Sequence, residues 1–172
     1  MRAIGRGNTG DFEMKKKHLK TAVCAALIGS MLLASGCGDT KAVEASEFKT
    51  AMKKLGLEIN DQSAEYKDQG ADAVIVGYVK DEYQMELYHF KEKEQADQTY
   101  TKLTDQLIEG YEGTDGYSIE KKRANNKSTA VVTGDGNYFE AVLIDTTLVY
   151  GVTSNGSEHK NEIKKAFDEI GY

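Results

Sequence analysis

Apolar residues recur at helical spacing in three stretches of the chain. Phe48, Met52 and Leu55 follow Ser46, a suitable N-cap, and Gly56 stops the run. From about Glu92 to Glu109, Ala96, Tyr100, Leu103 and Leu107 share one stripe, with Gly110 behind it. From about Ser157 to Ile170, Ile163, Phe167 and Ile170 do the same, closed by Gly171. Each stripe is one-sided, so each helix needs another element to cover it. Phe48, Leu103, Phe167 and Ile170 are the expected inward positions.

Between the helices the spacing changes to that of strands rich in β-branched and aromatic residues. Ala73 to Val79 and Tyr83 to Phe90 flank Lys80-Asp81-Glu82. Tyr117 to Lys121 and Thr129 to Thr133 flank a polar connection through Asn125 and Asn126. Tyr138 to Ile144 and Leu148 to Thr153 flank Asp145-Thr146, and Asp135-Gly136 ahead of Tyr138 reads as a hairpin turn. Connections this short force antiparallel pairing. The pattern therefore predicts a single α+β domain over residues 46–172, an antiparallel sheet with three amphipathic helices in the order α-β-β-α-β-β-β-β-α. A strand–turn–strand–helix unit occurs twice, at about 73–109 and 138–170. An offset of 67 positions carries Ala96, Tyr100 and Leu103 onto Ile163, Phe167 and Ile170. Either the unit is duplicated, or the chain is simply a curved sheet with its helices on one face.

The N-terminal part follows a different logic. Met14-Lys15-Lys16-Lys17-His18-Leu19-Lys20 is a basic segment, Thr21 to Leu33 is apolar, and Ala34-Ser35-Gly36-Cys37 closes it with small residues. That is the order of a secretory signal. The apolar part is too short to span a bilayer, which takes about 20 residues. The ending Leu33-Ala34-Ser35-Gly36-Cys37 resembles the lipobox of bacterial lipoproteins. The resemblance implies cleavage between Gly36 and Cys37 and a diacylglycerol-type lipid on the Cys37 thiol. It places the domain on the extracytoplasmic face of the cell membrane, with the membrane as partner through that lipid. Residues 1–13 fit no part of a signal and read as an upstream extension ahead of a start at Met14. Gly38 to Ala45 is small and polar, a tether of at most about 28 Å. The element order is similar to that of uncharacterised small lipoproteins of Gram-positive bacteria, which again implies location rather than activity.

Charge and cysteine follow this division. Residues 1–36 hold six of the 22 Lys and Arg and two of the 28 Asp and Glu, which leaves 16 basic against 26 acidic, a net of −10 beyond the cut. A domain so acidic is repelled by nucleic acid and by anionic lipid, so nucleic acid is not an expected partner. Of the two Cys, Cys24 falls in the signal and Cys37 takes the lipid, so the domain carries no disulfide and depends on its core.

Catalytic patterns are missing. His89 and His159 form no metal-ligand spacing, and no G-x-S-x-G elbow or thiol nucleophile remains. Asp61, Glu65, Asp68 and Asp72 lack the spacing of a calcium loop and read as a solvated loop. No metal, no cofactor and no enzymatic activity are therefore expected. All ten Tyr lie beyond the cut, and Tyr83 and Tyr117 are candidates for an aromatic recognition surface. The expected function is a membrane-anchored, non-catalytic binding or accessory module whose partner is an envelope protein or a small ligand. The alternatives are a small secreted hydrolase, and a solute-binding or partner-inhibiting lipoprotein.

Overall fold

The computed structural model describes residues 39–111, 116–134, 136–153 and 159–172. The segments read as upstream extension, signal and lipid-bearing Cys37 lie outside them. Among the described residues, seven strands form one sheet: β1 (Glu58–Asp61), β2 (Ala71–Val79), β3 (Tyr83–Phe90), β4 (Ser118–Ala124), β5 (Lys127–Gly134), β6 (Asn137–Ile144) and β7 (Thr147–Thr153). Their spatial order is β1-β2-β3-β7-β6-β5-β4, and every neighbouring pair is antiparallel. The helices are α1 (Ala45–Lys54), the one-turn α2 (Ser63–Tyr66), α3 (Lys93–Tyr111) and α4 (Lys160–Glu169). The α+β class, the antiparallel sheet and the three long helices agree with the sequence pattern.

Five differences have physical causes. The first concerns the residues around Asp61, Glu65, Asp68 and Asp72, expected to be a solvated loop. They contribute the edge strand β1, in which Ile59 is the one side chain turned toward the core, and the short α2. Asp61 sits in β1, bonded to Lys49 at 2.5 Å and to the Ser63 hydroxyl at 2.6 Å, which holds its carboxyl down at about 2. Glu65 lies in α2, and Asp72 lies in β2 beside Lys91.

The second is the start of α1. The cap is Glu44 rather than Ser46, and the Glu47 carboxylate accepts the Glu44 N–H at 3.1 Å.

The third is the tether. Thr40 is hydrogen-bonded to Asn126 and Val43 is buried, so residues 40–44 belong to the folded domain.

The fourth is the set of inward helix positions. Phe48 and Phe167 are buried, whereas Leu103 and Ile170 are half-buried.

The fifth is the placing of helices. They cover both faces of the sheet rather than one. Phe48, Ala51 and Met52 of α1 and Ile163, Ala166 and Phe167 of α4 pack with Ile75, Met85, Leu87, Val142 and Val149. On the other face Ala96, Tyr100, Leu103 and Leu107 of α3 pack with Val74, Phe90, Val132, Phe139, Leu143 and Leu148. Alternate residues of the central strands thus feed two cores, which is why β6 and β7 read as nearly continuous apolar runs. The two β-β-α units consequently do not superpose. Turning β6-β7 onto β2-β3 about the sheet normal leaves α4 on the face opposite α3.

Two close approaches fix the layers. A Cβ on Gly151 would lie 2.5 Å from Ile163 Cγ2 and 2.6 Å from Met85 Sδ, so α4 rests on bare backbone in mid-sheet. A Cβ on Gly77 would meet Met52 of α1 at 3.1 Å.

Candidate functional site

β3 carries Gln84, Glu86 and Tyr88 at alternate positions, so all three point to the α3 face. Glu86 is 7% exposed, an uncommon place for a carboxylate, and it is held by three donors. Gln84 Nε2 donates to Oε1 at 2.5 Å and the Tyr88 hydroxyl to Oε2 at 2.7 Å. Tyr150, paired with Glu86 across β3 and β7, supplies the third bond. Burial still dominates and raises the carboxyl above its usual range, with the three hydrogen bonds pulling it down. The Tyr88 and Tyr150 hydroxyls are pushed up by the same burial and by the carboxylate beside them.

The rings around this carboxylate form a continuous set. Tyr88 stacks with Tyr150 and with Phe90 at 6.1 Å each, and Tyr66 of α2 meets Tyr88 edge-on at 6.3 Å. α3 packs mainly on β3, β5, β6 and β7. Val76, Tyr78, Gln84 and Val152 are half-buried on that face. When ionised, Glu86 accepts from all three of these donors.

A second carboxylate lies on the opposite face. Glu140 of β6 accepts the Tyr138 hydroxyl at 2.5 Å and is raised by burial, against Tyr138, Lys164 and Lys127. The Lys127 ammonium, 5.6 Å from the Tyr172 ring centre, is lowered by burial, and burial takes Tyr172 up to about 12.

The residues singled out in the sequence do not meet. Tyr83 is buried in the α1–α4 core and stacked on His159 at 5.5 Å, while Tyr117 contacts Tyr111 at the end of α3, on the other face. They offer no common surface. His89 is 3.4 Å from the Thr146 hydroxyl at one end of β3, and His159 lies beside Glu82 at the other. Six residues of strand separate Tyr83 from His89, about 20 Å, so the two histidines cannot share an ion. Among the described residues no group of three or more His, Cys, Asp or Glu is arranged around a metal position, and no helix is long and apolar enough to cross a membrane. The sequence did carry a signal for the cluster that forms. Glutamine, glutamate and tyrosine at i, i+2 and i+4 of one strand share a face, but the partner Tyr150 is supplied by a strand more than 60 positions away.

No family model matches the chain, and no curated protein is significantly similar to it. A solved structure of a GTP-binding regulator from Thermotoga maritima is similar at a TM-score of 0.39 and 18% identity, over 72% of this chain and 86% of that one. A likeness of that size carries no argument about this chain.

Proposed function

We propose that this chain is a lipid-anchored extracytoplasmic module that binds a small ligand or an envelope partner without transforming it. The observation that carries the anchor is Cys37 itself. It follows small residues at the end of a basic-then-apolar segment, and the folded domain begins three residues later at Thr40. Cleavage before Cys37 would leave the thiol at a new N-terminus. Two long acyl chains, at about 0.8 kcal/mol per buried CH₂, give stable rather than marginal attachment.

The binding half of the proposal is supported by the Glu86 cluster. Tyrosine rings over a fixed acceptor floor suit recognition, and the half-buried valines on that face extend the surface. A hydrolytic reading has less support, since Glu86 and Glu140 lie on opposite faces of the sheet and do not form a pair. The test is Cys37→Ala in the full chain. The variant is expected to leave the membrane pellet or persist as uncleaved precursor, and labelled fatty acid should mark the wild type alone. Unlabelled wild type recovered free of membranes would refute the anchor.

A further inference from the structure

We infer that the sheet end bearing the Asn125-Asn126 and Asp145-Thr146 turns abuts the lipid surface, and that the Lys80–Glu82 turn at the opposite end projects away from it. This rests on the anchor at Cys37 proposed above.

The entering chain does not join the domain at a loose point. Thr40 N–H donates to Asn126 Oδ1 at 3.1 Å, and Asn126 Nδ2 returns a bond to the Thr40 carbonyl at 2.9 Å. Two bonds from one side chain fix the direction of the peptide as well as its position. Three residues on, Val43 is 6% exposed and its N–H donates to the Tyr172 hydroxyl at 2.8 Å. The strap is thus held at both ends.

The turn it grips is rigid in turn. Asn126 Nδ2 also donates to Asp145 Oδ2 at 2.9 Å, and the Asp145 N–H donates to the Asn126 carbonyl at 3.3 Å. Thr146 accepts the Phe90 N–H at 2.9 Å, and Lys93 pairs with Asp145 at 3.6 Å. The β4–β5 turn, the β6–β7 turn and the end of β3 therefore move as one body with Thr40. The register agrees, since Ala124, Lys127, Ile144, Thr147 and His89 form one row across the sheet.

Chain geometry then sets the distances. Three residues span at most about 11 Å, so this end stays within that reach of the Cys37 backbone. The β2–β3 turn stands farther off by the length of β3, about 24 Å. Lying flat would press a domain of net charge −10 against an anionic surface, a contact opposed by repulsion.

The test uses the full, lipidated chain in vesicles of phosphatidylglycerol and phosphatidylcholine that carry a lipid-borne spin-label quencher. A fluorophore is attached to Lys91→Cys or to Lys80→Cys, two exposed positions at opposite ends of the β2–β3 hairpin. Quenching at position 91 is expected to exceed that at position 80 at least twofold. Equal quenching, or more at position 80, with the protein still in the vesicle fraction overturns the orientation and leaves the anchor standing. Protein recovered in the soluble fraction overturns the anchor and the orientation with it. Asn126→Ala, or Thr40→Pro where the Asn126–Asp145 bonds are to be kept, should shrink the difference between the two positions. A difference unchanged in both variants removes the strap as its cause.

Discussion

Gly151 offers the most direct check on how α4 is seated. Adding one methyl group there places a carbon 2.5 Å from Ile163 Cγ2 and 2.6 Å from Met85 Sδ, both fully buried. Favourable carbon contacts lie near 3.5–4.0 Å, so about 1 Å must be found. Met85 is flexible, but Ile163 is β-branched and fixed in a helix, and its Cγ2 cannot swing away without lifting α4. Overpacking of this kind costs about 1–3 kcal/mol. Glycine in a strand interior is itself worse than alanine by about 0.5–1 kcal/mol, which offsets part of the cost. Gly151→Ala should therefore destabilise the domain by about 1–2 kcal/mol, read as a lower urea midpoint at unchanged slope. Ile163→Ala alone should cost about 2–5 kcal/mol through its cavity. In that background Gly151→Ala should no longer destabilise, a coupling of at least about 1 kcal/mol between contacting sites. Gly151→Ala that is neutral or stabilising in the wild-type background would refute the seating of α4 on bare backbone.

Glu86→Gln tests the buried carboxylate. A carboxyl raised by burial stabilises the fold below its unfolded pKa and loses that contribution as pH rises through its folded pKa. Wild-type stability relative to Glu86→Gln should thus decline from acid toward neutral pH in parallel denaturant titrations; a wild type that gains on the variant as pH rises would show that the carboxylate is favoured in place. Phe167→Ala should cost about 3–5 kcal/mol and Leu103→Ala about 1–2 kcal/mol, because the first is 3% exposed and the second half-buried. Equal losses in urea melts would contradict the unequal burial of the two helices.

Local order was legible in the sequence because it depends on local causes. β-branched and aromatic runs between short polar turns marked six of the seven strands, and β3 falls on the residues the pattern predicts, Tyr83–Phe90. Gly56 and Gly171, each at positive φ, ended helices where expected. The edge strand β1 escaped notice because four residues with one inward side chain leave no period to read.

What tertiary structure alone decided is which surfaces meet. A helix that follows a hairpin can cross either face of a sheet, and nothing in the stripe of α3 or α4 says which. The choice emerges from the whole sheet, where β7 inserts beside β3 and joins the two hairpins into one layer with two apolar sides. The same insertion brings Tyr150 against Glu86 and Tyr88, and so assembles the candidate site. Tyr83 and Tyr117, alike in sequence terms, were sent to opposite faces. Burial, pairing and raised carboxyl pKa values are properties of non-local neighbours, and chain entropy leaves them undetermined until the strands have paired.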